Sequence, residues 1–191
     1  PTHVSMPGSV LPPEPNSPRE IFEHYLGDLV YGANDGIITT FAVVAGVAGA
    51  NLSPKIVLIL GFANLVADGI SMGASNYLSI RSDEARRAAA GLGVKEPHAL
   101  RHGIATFAAF NIAGIVPLFA FLFPFVEGER FIAATILTLL MLFVVGAARS
   151  FITRANLFRS GVEMLLVGGA AAAVAYGIGA LIADLTGGVT V

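Results

Sequence analysis

The sequence has no cysteine at all, and charged residues make up only 13% of its 191 positions. The first absence excludes disulfides, thiolate zinc sites and thiol catalysis. There is no basic excess either: 11 Lys and Arg stand against 13 Asp and Glu, a net charge of −2, which leaves no surface suited to nucleic acid. No nucleophile–base pair or cofactor motif stands out, so an enzyme is not expected. The opening residues lack the apolar core of a signal peptide, because Pro7, Pro12, Pro13, Pro15 and Pro18 interrupt them. What is present is apolar residue, 55% of the chain, with a mean hydropathy of +0.76. Long uncharged runs then imply an integral membrane protein.

Residues 1–18, proline-rich and aperiodic, are expected to be a disordered tail, and Arg19 to Asp28 a short amphipathic helix leading into the membrane. Five apolar runs follow, at about 29–50, 55–80, 103–125, 130–149 and 161–184. The expected fold is all-α, a polytopic protein of five transmembrane helices forming one transporter domain over 19–191. Ser53-Pro54 supplies an N-cap and an N1 proline between the first two spans. Pro124 and Glu127-Gly128-Glu129 mark a tight turn between spans three and four. The polar stretch 81–102 reads as a loop holding a short surface helix, and Asn111 and Pro117 as a kink in span three. Nine of the 11 basic residues (Arg19, Arg81, Arg86, Arg87, Lys95, Arg101, Arg149, Arg154 and Arg159) fall on one side. The positive-inside rule puts that side, with the N-terminus, in the cytoplasm and the C-terminus outside. Span four, whose only polar interior residues are Thr135 and Thr138, is expected to face lipid. Ala42, Gly46 and Ala50, and likewise Gly69 and Gly73, recur every four residues, a spacing that lets helix backbones approach closely. It serves packing inside one bundle or a subunit interface equally well.

The polar residues inside these runs are the functional signal. Asp35 lies deep in span one, where a mid-membrane carboxylate costs roughly 2.5–3.5 kcal/mol on insertion scales. It sits in Asn34-Asp35-Gly36, three poor helix formers in a row. Glu20, His24, Asp28 and Asp35 share one helix face, a stripe from the surface into the membrane. Glu20 and Glu23 read equally well as solvated acids near a helix N-terminus. Span two has a second stripe through Asn64, Asp68, Ser71 or Met72, Ser75 and Ser79. A carboxylate with a thioether suits a borderline ion such as Fe(II) better than Mg or Ca. Two ligands are too few, and a two-fold dimer would supply two aspartates and two methionines at one axis. Glu163 at the head of span five reads as an anchor for Arg149, Arg154 or Arg159 ahead of a transport role. Asp83, Glu84, Glu96, His98 and His102 are weak ligand candidates, better read as a solvated loop.

At these residues the chain resembles the vacuolar iron transporter family, which includes yeast calcium-sensitivity complementing transporters and plant nodulin-like members. The likeness rests on Asp28-Leu-Val-Tyr-Gly-Ala-Asn-Asp-Gly-Ile-Ile-Thr-Thr-Phe-Ala-Val-Val-Ala-Gly, on Ala67-Asp-Gly-Ile-Ser-Met-Gly and on Arg159-Ser-Gly-Val-Glu-Met-Leu, and spans about residues 24–185. The resemblance implies five spans, a homodimer, and export of Fe(II), often Mn(II) too, from the cytosol in exchange for protons. It implies that Asp35 and Met72 form the membrane site at the dimer axis and that Asp28 is an acid nearer the cytoplasmic mouth. A family glutamate falls on His24, where imidazole would have to substitute. The plant members carry a Glu- and Met-rich metal-binding domain between spans two and three, where this chain has only residues 81–102. It therefore looks like a minimal transporter, or a transport domain cut from a longer protein. A bacterial cytoplasmic membrane is favoured over a vacuolar one. The expected partners are lipid, a second copy, divalent metal ions and protons, with metal as cargo and no resident cofactor. The competing reading is a non-transporting scaffold in which Asn34, Asp35 and Asn76 merely bind helices together.

Overall fold

The computed structural model describes residues 17–123 and 129–187, and all regular structure among them is helical. The elements are α1 (Pro18–Gly49), α2 (Pro54–Ala89), α3 (Ala99–Gly114), α4 (Val116–Leu122), α5 (Glu129–Thr153) and α6 (Leu157–Leu185). The tail at 1–16 and the turn at Pro124 to Gly128 lie outside the described residues. Among the described residues four helices are long and apolar enough to cross a membrane, and the bent pair α3–α4 makes a fifth if counted as one span.

Helix α1 starts where Ser17 accepts a hydrogen bond from the Glu20 amide at 3.2 Å and Pro18 sits in the first turn, where its missing N–H costs nothing. It then runs unbroken for 32 residues, through Asn34-Asp35-Gly36 and through the segment expected to be a separate amphipathic helix. Tertiary contact on several sides overrides the weak propensity there. The helix ends with Asn51 at φ 53°, its amide bonded to Ala48 O and that of Leu52 to Val47 O, a Schellman close that turns the chain directly into α2.

Helix α2 is 36 residues long and does not stop where the apolar run stops. The sequence from Arg81 to Ala89 is polar yet rich in Ala, Arg and Glu, good helix formers, so the helix simply continues. The expected loop at 81–102 is thus mostly helix, with only Ala90 to His98 joining α2 to α3. Gly91, at φ 69°, makes the same left-handed close as Asn51. Span three is broken at Ile115 with a 40° bend, and Pro117 lies in the first turn of α4, as the expected kink requires.

Helix α1 is the hub and touches each of the other five. Its approach to α3 depends on Gly32 and Gly36, which lie against the backbone of Thr106 and Phe110. Gly46 and Gly49 meet α6 at Ala175 and Tyr176, while Gly69 and Gly73 meet α3 at Asn111 and Gly103. These glycine contacts are within one chain; Ala42 and Ala50 are only half-buried. Helix α5 does not face lipid all round. Ala134, Thr138, Leu142 and Val145 form a buried face against its neighbours, while Ile132, Ile136, Leu140 and Val144 are exposed.

Candidate metal centre

At the end of the bundle where α1 and α3 begin and α2 ends, three helices and one loop bring polar side chains together. The loop is fixed first. Glu84, on the polar extension of α2, accepts the Lys95 amide at 3.1 Å and the Glu96 amide at 2.9 Å, and Arg87 donates to Gly93 O at 2.9 Å. This turns Glu96 inward, where Oε2 lies 3.3 Å from His24 Nε2 on α1 and 3.2 Å from His102 Nε2 on α3. Its other oxygen accepts the His98 amide at 3.1 Å. Burial acts to raise the Glu96 carboxyl, but the His98 amide, His102 and His24 together outweigh it and hold the group below its ordinary range.

Below Glu96 the cluster continues into the bundle. His102 Nδ1 lies 2.5 Å from Asp28 Oδ2, and Asn76 on α2 donates to Asp28 Oδ1 at 2.7 Å and to Thr106 Oγ1 at 2.7 Å. Thr106 in turn donates to His102 O at 3.0 Å. The rings of His24, Tyr25 and His102 pack together with centroids 4.7–5.0 Å apart. His102 is 8% exposed, and its buried Nε2 has no hydrogen-bond partner among the described residues. His24, Glu96 and His102 can each point one ligand atom to a common position, all within 4.8 Å of one another. The solvated-loop reading is therefore corrected for Glu96 and His102. His98 is the N-cap residue of α3, and Asp83 pairs with Arg86 at 2.6 Å.

Asp35 stands two helical turns further along α1, about 10 Å from Asp28, and is half-buried. The Asp68 carboxylate of α2 is near enough to interact with it electrostatically, and Asn64 donates to Asp68 Oδ2 at 3.0 Å. Met72 is partly buried and packs on the apolar core that contains Phe41, Leu65 and Phe110. Among the other candidates, Glu23 pairs with Arg19 at 2.8 Å on the surface, Glu20 is exposed, and Glu163 lies 3.2 Å from Arg159 and 4.0 Å from Arg149.

Sequence reasoning joined His24 to Asp28 but not to Glu96 or His102, because span three was expected to begin at 103, four residues after the start of α3 at Ala99. Extending its period upstream puts His102 on the buried face of Thr106 and Phe110, the signal that could have found it.

A sequence model of the VIT family matches residues 26–91 and 86–180 of this chain, nearly the whole bundle. The chain belongs to the VIT family. Similar proteins include Vacuolar iron transporter homolog 1 of Arabidopsis thaliana, 32% identical over 83% of this chain and 83% of that protein. Vacuolar iron transporter 1 of Eucalyptus grandis is 27% identical over 79% and 84%. The vacuolar iron transporter of Toxoplasma gondii is 29% identical over 85% and 76%. This VIT-family chain is an integral membrane protein whose α2–α3 connection is only Ala90 to His98.

Proposed function

We propose that this VIT-family chain moves Fe(II), and Mn(II) with it, out of the cytosol across five spans in exchange for protons. The observation that carries the reading is the set of carboxylates Asp28 and Asp35 on α1 and Asp68 on α2, within helices apolar enough to cross a membrane, in a chain whose relatives are named iron transporters. Carboxylates at membrane depth are costly and rarely kept without an ion or proton to serve.

In this mechanism the basic end, with His24 and Asp28, faces the cytoplasm, as the Lys and Arg bias requires. Asp35 takes the metal while ionised and releases it when a proton arrives from the far side, so each cargo displaces the other and the fluxes are coupled. Met72 of each of two copies joins Asp35 at a dimer axis to complete the ligand set, and Asp68 adds negative charge beside it. The membrane is a bacterial cytoplasmic one.

Proteoliposomes with an imposed pH gradient test the mechanism. Wild-type protein should take up Fe(II) as protons move the other way, and Asp35→Ala should reduce this to the level of empty liposomes. Undiminished proton-coupled flux in Asp35→Ala would refute it. One observation favours a scaffold instead: Asn76 bonds residues of two other helices, Asp28 and Thr106, as an interhelical tie would. A scaffold would show no flux in the wild type either.

A further inference from the structure

We propose that Glu96, His102 and His24 form a second metal site, a capture station for a divalent transition ion at the cytoplasmic mouth, separate from Asp35. As a loading station it rests on the transporter reading above; as a binding site it stands on its own geometry.

The decisive group is His102. Asp28 accepts at Nδ1, so in the neutral ring the proton is on that nitrogen and the Nε2 lone pair is free. Asn76 holds the other Asp28 oxygen, which fixes the carboxylate and through it the imidazole. This is the carboxylate–histidine arrangement that orients a ring toward a metal. The free Nε2 is buried, has no hydrogen-bond partner among the described residues, and faces the Glu96 carboxylate at 3.2 Å. Two acceptors face each other at that distance only with a metal cation or a proton between them, and the titration below separates the two.

The spacing fits such a cation. Around an ion with bonds of about 2.1 Å, neighbouring ligands are about 3.0 Å apart in an octahedron and about 3.4 Å in a tetrahedron. The two edges that Glu96 Oε2 makes with the histidines measure 3.2 and 3.3 Å. The His24 side chain is 34% exposed, so it can turn to close the set, and its open side admits waters as further ligands. Two imidazoles and one carboxylate prefer Fe(II), Co(II), Ni(II) or Zn(II) to the hard ions Mg(II) and Ca(II), which seek oxygen alone. The short α2–α3 connection thus supplies a ligand itself: Glu84 and Arg87 pin the loop so that Glu96 reaches both histidines.

The test is a Co(II) titration of the full chain in lipid nanodiscs, followed by calorimetry and by visible absorption, with excess Mg(II) present throughout. Wild-type protein should bind Co(II) at this site as well as at the membrane site. Glu96→Gln and His102→Gln should each weaken one class of binding by about 10–100-fold, and so should Asp28→Asn through loss of ring orientation. Asp35→Asn should leave that class intact. Glu96→Gln lies on the connection rather than in a span, and an unchanged circular dichroism spectrum keeps its result interpretable even if His102→Gln fails to fold. Co(II) binding by Glu96→Gln equal to wild type, or displacement of this class by Mg(II), would overturn the proposal and leave a protonated His102 bridging two carboxylates. Loss of all flux with the Glu96-dependent Co(II) binding intact would instead remove the transporter reading alone.

Discussion

The contact of α1 with α3 makes a sharp prediction, because the same substitution at two positions of α1 should act in opposite directions. An alanine methyl at Gly36 would fall 2.9 Å from the carbonyl carbon of Phe110 and 3.0 Å from its Cα, and closer still to its oxygen. Carbon pairs prefer about 3.5–4.0 Å, so α3 must retreat by roughly 0.5–1 Å, which forfeits about a quarter to a half of the dispersion between the facing surfaces. These are backbone atoms of a helix and cannot rotate away, so the change costs about 1–3 kcal/mol as overpacking. The better helix propensity of alanine offsets roughly 0.8–1.0 kcal/mol of this. At Gly27 a methyl meets nothing within 4 Å, so there only the propensity gain applies. Gly36→Ala should therefore lie about 1–3 kcal/mol below Gly27→Ala, or about 2–12 °C in Tm for a chain of this size. Thermal unfolding of both variants in the same detergent, read by size-exclusion chromatography, measures the difference. A Gly36→Ala protein that melts with Gly27→Ala would refute the close packing of α1 on α3.

Two further outcomes follow from the polar groups. Glu96 is held below its ordinary value of 4.5, so its contribution to docking the α2–α3 connection is complete above that pH and is lost as pH falls through the lowered value. Hydrogen exchange at the Glu96 and His98 amides should accelerate below that point in the wild type, whereas Glu96→Gln should exchange rapidly at all pH; a pH-independent wild type would contradict this. Glu163→Gln breaks only half-exposed pairs with Arg159 and Arg149, so stability should change by less than about 0.5 kcal/mol. Transport should be unchanged, and a loss of flux would give Glu163 a role in the ion path.

The amino-acid sequence by itself determined that the chain is helical and membrane-embedded, and roughly where each span lies. In a bilayer every backbone group must be satisfied within its own helix, so span position is a local property written in local hydropathy. The start of α2 at Ser53-Pro54, the break before Pro117 and the cost of a carboxylate at Asp35 were legible for the same reason, since each depends on near neighbours. Hydropathy misjudged the ends, because a helix can leave the membrane and continue: α1 starts at Pro18 and α2 runs to Ala89, so most of the expected loop is helix. What only the tertiary structure decided is which polar residues meet. Asp28 and His102 are 74 residues apart and Asp28 and Asn76 are 48 apart, and no period of one helix relates them. They meet because Gly32, Gly36, Gly73 and Gly103 carry no side chains, which lets α1 and α2 lie against the backbone of α3. The same close approach, with the connection pinned by Glu84, puts Glu96 between two histidines.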